Sequence, residues 1–298
     1  MYLLSRCALV GSGNNLRQVR SSQYSANGLI ILGSASGAID PSELYGGAAN
    51  PTVLFETADV AGALGLMSVT AGLHVSSGTI TIPYNKRANG GAFAGSSSHM
   101  TISGANALII PLQISGSQDN EAVILTVQVI FYSTTGLANP VTFNTGATLG
   151  AQAFNAQYDF GPVYVDLGGG ASQVAEATGW TVNTGIVATP RRYDGGIYPS
   201  KVFITQRNPT IEITFEDFDD AAAFGTVYDA LTSCAVYGRK RADGGTHVAD
   251  ATEEHCKFSF AAGISDIQTL GGSERTNGQA SIMPTGKALT AATTPASP

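Results

Sequence analysis

The feature that most constrains the fold is an alternation of apolar and polar positions along residues 122–132. Five apolar side chains fall on one side of this segment: Val123, Leu125, Val127, Val129 and Phe131. The other side is mixed: Ile124, Thr126, Gln128 and Ile130. A period of two is typical of a β-strand with one buried face. We therefore expect a strand whose second face is half exposed.

Shorter segments with a strand pattern recur along the chain. They are Gly78–Ile82, Ala107–Ile114, Val163–Leu167, Lys201–Thr205 and Thr210–Phe215. Only two segments have a helical pattern. The first covers residues 57–66. The second is an Ala-rich stretch that ends at Leu231, and Asp217 or Asp219 could cap its start. The fold class predicted from these patterns is mainly β with a few short helices.

Composition excludes several classes of function. Of 298 residues, 43% are hydrophobic, so the chain can bury a core. Only 12% are charged, and the formal net charge is −7. A protein that holds DNA through its phosphates needs a basic face, which this charge argues against. The sequence has no apolar run of about 18 residues, the length that a membrane-spanning helix needs, so we expect no membrane partner.

Residues with catalytic or metal-binding potential are few. Three cysteines are too few for a disulfide framework and predict reduced thiols. His247, His255 and Cys256 could share a metal with Cys234, but neighbouring residues of a strand point to opposite faces. We therefore expect an exposed histidine beside a half-buried cysteine. The sequence predicts no cofactor, no metal and no catalytic residue, and so no enzyme.

One short pattern of the sequence occurs twice. Gly72–Pro83 is echoed by Gly179–Pro190, with four identical positions among twelve, and each copy precedes a basic pair and a double glycine. The ordered recurrence predicts duplication of a β unit of about 100 residues, with a boundary within residues 137–155. The two Asn-x-Thr candidates for N-glycosylation, at Asn50–Thr52 and Asn208–Thr210, are both blocked by proline.

The sequence resembles the major tail-tube proteins of long-tailed bacteriophages. The resemblance rests on the order of five segments: Tyr158–Leu167, Gly179–Pro190, Gly195–Pro199, Asn208–Ile213 and Ala280–Gly286. It extends as a pattern over residues 65–290. It implies a duplicated β-sandwich or barrel-like tail-tube unit with short helices. The division would be an N-terminal arm and the start of the first unit (1–60), a first unit (61–140), a second unit (155–285) and a flexible C-terminal tail (286–298).

The resemblance also implies a function. Copies of the chain would form rings that stack into the tail tube of a virion, assembled in the host cytoplasm, with DNA only as cargo that passes through the lumen during ejection. The implied partners are the chain itself and other tail proteins. Our candidate contacts between rings are four basic and four acidic residues: Lys86, Arg87, Arg191, Arg192, Glu216, Asp217, Asp219 and Asp220.

Other functions remain open from the sequence alone. The chain could be a different β-rich virion component: a capsid decoration protein, a tail terminator, or a receptor- or carbohydrate-binding module. A carbohydrate-binding module would need an exposed aromatic platform, whereas the single tryptophan, Trp180, is better explained by core packing or a subunit seam. A β-rich hydrolase would need convergent carboxylates, which alternation does not reveal.

Overall fold

The structure is a computed structural model. It describes residues 2–5, 8–10, 14–16, 18–33, 40, 43–66, 76–87, 99–119, 122–149, 157–217, 219–241, 255–273, 276–284 and 290–292. These residues form a mainly β fold with one large antiparallel sheet of 17 strands and two separate hairpins. The predicted fold class is confirmed at this level.

The elements fall into two halves along the chain. The first half contains β1 (Tyr2–Ser5), β2 (Ala8–Val10), β3 (Asn14–Leu16), β4 (Val19–Ser25), β5 (Ile30–Gly33), β6 (Glu43–Gly46), β7 (Thr52–Thr57), α1 (Val60–Leu66), β8 (Ser76–Arg87), β9 (His99–Ser117), β10 (Ile124–Phe131) and β11 (Thr142–Ala147). The second half contains β12 (Tyr158–Asp166), β13 (Ser172–Val174), β14 (Ala177–Asn183), β15 (Ile186–Arg191), β16 (Lys201–Arg207), β17 (Thr210–Phe215), a 3₁₀ helix (Asp219–Phe224), β18 (Asp229–Lys240), β19 (Cys256–Ser273), β20 (Thr276–Pro284) and β21 (Thr290–Ala292).

The strand predictions are confirmed. The alternating segment forms β10, and its five apolar side chains on the predicted core face are fully buried. The opposite face is half buried, apart from Ile130, which lies in a second apolar cluster. The five shorter segments lie within or largely within β8, β9, β12, β16 and β17. The helix predicted over residues 57–66 is present as α1.

The helix predicted to run to Leu231 is wrong beyond Phe224. A 3₁₀ helix covers only Asp219–Phe224, and the chain then turns at Gly225, whose φ is +74°. From Asp229 the residues form β18, which pairs with β12 and β19. Pairing on both edges of this long strand outweighs the modest helical preference of its alanines.

The two halves have the same order of paired strands. In the first half the order is β1–β8–β9–β10–β7–β4. In the second half it is β12–β18–β19–β20–β17–β14. The separate hairpins also occupy equivalent places, because each is inserted in the chain between the last two strands of its order: β5–β6 between β4 and β7, and β15–β16 between β14 and β17. The second half therefore repeats the topology of the first.

The register repeats as well. Val19 pairs with Thr57 as Ala177 pairs with Phe215, and each ladder has a register shift directly after that pair. Two histidines make the same contact: Nδ1 of His99 accepts the Lys86 N–H, and Nδ1 of His255 accepts the Lys240 N–H, both at 3.1 Å. Equivalent residues can therefore be assigned between the halves one by one.

This repeat differs from the echo noticed in the sequence. Residues 179–190 span β14 and most of β15, whose equivalents are β4 and β5, whereas residues 76–83 lie in β8. Residues 72–75 lie outside the described part. A glycine, a valine and a proline at this spacing are compatible with several strands of such a sheet. The echo therefore aligned two strands that are not equivalent in the two halves.

Two segments in which the sequence pattern predicted no strand contain strands. The expected boundary, residues 137–155, contains β11, which pairs with β9. The predicted flexible tail contains β21, which pairs with β19 at Lys257–Ser259. The remaining residues of the tail lie outside the described part.

A continuous hydrophobic core connects the halves. Phe55 and Val129 from the first half and Ile213 and Phe258 from the second belong to the same buried cluster. Trp180 lies in it with its ring centroid 5.9 Å from that of Phe258. Trp180 is therefore a core residue, as the sequence suggested.

Candidate assembly edges

The halves are joined by pairing between β9 and β14. Along residues 113–115, β9 carries β10 on one edge and β14 on the other. At this junction Val182 lies opposite Ile114, and both side chains are fully buried. The sheet of the first half is thus extended directly by β14, the last strand in the pairing order of the second half.

The counterpart of β14 is an open strand. β4 pairs with β7 on one edge, and within the described residues no strand pairs with its other edge. We call residues Ser21–Ser25 of this strand the β4 edge. Their equivalents in β14, Gly179–Asn183, are the residues through which β14 pairs with β9. The unpaired N–H and C=O groups of such an edge are able to pair with another chain.

The counterpart of the paired end of β9 is open too. Thr269 and Leu270 of β19 pair with β20 on one edge, and on the other edge the described part of the chain provides no partner. We call residues Thr269–Ser273 the β19 edge. It corresponds to residues 113–117, which hold β14 in the first half. In the described part of the chain, the β4 edge and the β19 edge are therefore both open, and they are equivalent to the two sides of the internal junction.

The exposure of Leu270 marks this edge as incomplete. Its equivalent at the internal junction, Ile114, is fully buried, whereas Leu270 is 45% exposed. The residue opposite Ile114 is Val182, and the equivalent of Val182 is Tyr24 on the β4 edge. Leu270 thus has a matching residue in the repeat, but among the described residues no strand lies beside it on the edge away from β20.

The basic residues predicted from the sequence have unequal environments. The Lys86 N–H donates to His99 at the end of β8, and Arg87 is the last residue of the same strand. Arg191 is exposed at the end of β15. Arg192 is bound within the chain: its Nε donates to the Ile197 carbonyl oxygen at 3.0 Å, and its Nη2 donates to Asn50 Oδ1 at 2.5 Å.

The acidic residues surround the 3₁₀ helix. Asp220 accepts the Glu176 N–H at 2.8 Å, so this carboxylate has a partner within the chain. Asp217 accepts the Asp219 N–H at 2.9 Å, which caps the start of the helix. Glu216 lies at the end of β17, and its N–H donates to the Glu176 carbonyl oxygen. Asp219 is exposed.

We expect the two arginines to differ in their effect on folding. Arg192→Ala removes hydrogen bonds that connect the 192–200 loop to residues near β7, and should lower the free energy of unfolding by about 1–3 kcal/mol. Arg191→Ala, at an exposed site, should change it by less than about 0.5 kcal/mol. Urea unfolding of both variants measures this difference. Equal destabilisation would contradict the role given to Arg192.

The histidine and cysteine candidates are core residues. Cys234, His255 and Cys256 are all buried, which corrects the expectation of an exposed His255 and a half-buried Cys256. Burial raises the pKa of each of the two thiols to about 12, so neither forms a thiolate near neutral pH. His247 lies outside the described residues. Within the residues that the structure covers, no group of three or more acidic, histidine or cysteine side chains is placed to hold a metal.

Comparisons with known proteins identify no relative. No protein-family model matches the chain, and no curated protein is similar to it. In the described part of the chain, no helix is both long enough and apolar enough to cross a membrane.

Two features of the sequence point to these edges. The tripeptides beginning at Asn50 and Asn208 lead into β7 and β17, which are equivalent strands. His99 and His255 likewise lie at equivalent positions, at the starts of β9 and β19. Aligning the chain with itself on these two landmarks would have paired β4 with β14, and so would have pointed to both edges.

Proposed function

We propose that this protein is a virion structural subunit that associates with copies of itself into rings, which stack to form a phage tail tube for DNA ejection. The observation that carries this proposal is the relation between the two open edges. The β19 edge of one copy and the β4 edge of the next are equivalent to the β9–β14 junction inside each copy. Each added copy would therefore continue the same sheet.

Such a contact is heterologous, because two different surfaces meet. A heterologous contact generates a closed ring or an open filament, depending on the rotation between neighbours. With two repeats in each chain, three copies would supply six repeats to a ring. A ring of this kind removes both open edges, which are hazards for non-specific aggregation in a monomer.

The charge supports a conduit for DNA. The net charge of −7 disfavours tight binding of phosphates, and a channel for rapid passage of DNA should not bind it. For contacts between stacked rings, exposed Arg191 and the acidic group around Asp219 remain our candidates. The buried position of Trp180 removes the main aromatic candidate for a carbohydrate platform.

Electron microscopy of the purified protein at high concentration and moderate salt tests the proposal. We expect hollow filaments with a regular axial repeat, whose rings contain three copies. Rings that never stack would favour a tail terminator instead. Uniform monomers at all concentrations would contradict self-assembly and favour a decoration or binding role.

A further inference from the structure

The hairpin of the second half packs against the first half. β15–β16 lies over the face of β9–β10 that points away from the main core, where Ile110, Ile130 and Ile186 form a separate buried cluster. Ala188 of β15 and Val202 of β16 pack against this cluster. The internal junction therefore has two parts: pairing between β9 and β14, and a hairpin that covers the adjacent outer face.

The hairpin of the first half has the same register but no such cover. In β5–β6, Ile30 pairs with Gly46 and Leu32 pairs with Leu44. The equivalent pairs in β15–β16 are Ala188 with Ile204 and Pro190 with Val202. Ile30 and Leu44, the equivalents of Ala188 and Val202, are 72% and 71% exposed. Residues two apart on a strand share a face, so Ile30, Leu32 and Leu44 form one apolar surface, which we call the β5–β6 face.

The two hairpins also leave their sheets in the same way. A residue with a left-handed backbone lies just before each of them: Asn27, with φ +44°, after β4, and Gly185, with φ +58°, after β14. These are equivalent positions in the repeat. Because the turn is the same, a partner strand paired with the β4 edge would lie in the same relation to β5–β6 as β9 does to β15–β16.

The surface that would receive the β5–β6 face is open as well. The equivalents of Leu108 and Ile130, which pack under the second hairpin, are Ile264 and Met283. These side chains are 39% and 53% exposed. Asp266 takes the place of buried Ile110. The receiving surface is thus apolar with a polar part, as suits subunits that fold before they associate.

We propose that the β5–β6 hairpin of one copy docks through Ile30, Leu32 and Leu44 onto the outer face of β19–β20, at Ile264 and Met283, of a second copy. This inference rests on the proposed self-assembly and specifies a second surface of the same contact. An exposed apolar surface of several large side chains is otherwise unusual for a soluble monomer. The partner is a second copy because the contact reproduces one that the chain already makes between its halves.

Paired substitutions on the two faces of the hairpin test this contact. Leu44→Asp places a carboxylate on the docking face, near Asp266 of the second copy, and should weaken association at least 10-fold. Ile31→Asp is the matched control, because Ile31 is an exposed residue of the opposite face. It should leave association unchanged. Concentration-dependent mass photometry measures both variants, and circular dichroism checks that they are folded.

Photo-cross-linking identifies the receiving surface directly. Protein with a benzophenone amino acid at position 44 is mixed with ¹⁵N-labelled protein that lacks this amino acid. A cross-link to a heavy, ¹⁵N-labelled peptide then shows contact with a second copy. We expect cross-links to the heavy tryptic peptides 258–275 or 276–287. Cross-links only within one chain, or to other peptides, would overturn the inference.

The outcomes separate this inference from the proposed function. If Leu44→Asp associates like the unmodified protein while a substitution on the β19 edge prevents association, the hairpin contact is wrong and the ring proposal stands. If Ile31→Asp weakens association as much as Leu44→Asp does, the assigned face is wrong. A protein that never associates would overturn both.

Discussion

Leu270→Lys should weaken association between copies by about 10- to 100-fold and leave the isolated chain folded. The side chain is 45% exposed in the single chain, so a lysine there can keep its charge in water. In the proposed contact it is covered by Tyr24 of the next copy, as Ile114 is covered by Val182. Losing the burial of one large aliphatic side chain costs about 1.5–3 kcal/mol, which corresponds to that change in affinity.

The measurement combines mass photometry with electron microscopy. Leu137→Lys is the matched control, because Leu137 is exposed in the loop after β10 and lies on neither edge. It should form rings like the unmodified protein. If Leu270→Lys assembles normally, the β19 edge is not the site of contact. If it unfolds, the side chain has a structural role that its exposure does not indicate, and the cysteine pair described next becomes the deciding test.

A cysteine pair should lock the proposed register. Asn183 lies opposite Gln113 at the internal junction, and the equivalent residues at the open edges are Ser25 and Thr269. With Ser25→Cys and Thr269→Cys in one chain, mild oxidation should link different copies through disulfides. Directly opposed residues of antiparallel strands have Cα atoms about 4.5–5.5 Å apart, within the range that disulfides require. A closed ring of three would limit the products on a non-reducing gel to trimers.

The control keeps the same face and changes only the register. Ser21→Cys with Thr269→Cys places the thiols about 13 Å apart along the strand, since each residue advances about 3.3 Å, and should not cross-link. The background is Cys7→Ser, because Cys234 and Cys256 are buried with thiol pKa values near 12 and do not react. Equal cross-linking of both pairs, or assembly without cross-links in the first, would contradict the register.

The local pattern of the sequence was enough to identify strands. Along β10, burial alternates as predicted, because the period of two fixes which side chains share a face. The same reasoning failed at the start of β18, because local preference favoured a helix as far as Leu231. There, pairing with β12 and β19 decided the structure, and those partners are distant in the sequence.

The candidate site was harder to predict. The sequence suggested charged pairs, and for Arg192 and Asp220 the structure instead provides partners within the chain. The polar β4 edge has little hydrophobic signal, since serine and glutamine make up much of it. Leu270 carries no mark in the sequence that separates it from a core leucine. Only comparison with its equivalent distinguishes it: Ile114 is buried beside β14, whereas Leu270 is exposed.

The sequence by itself determined that the chain is mainly β, that it can bury a core, and that its net charge disfavours tight binding of DNA. These properties follow from composition and from local periodicity. The tertiary structure decided which strands are equivalent, which edges are open, and where the apolar hairpin is uncovered. Those properties depend on pairing between residues far apart in the chain. The hydrogen bonds that pair strands are made by backbone N–H and C=O groups, which nearly every residue type carries, so the choice of side chains records the pairing only weakly.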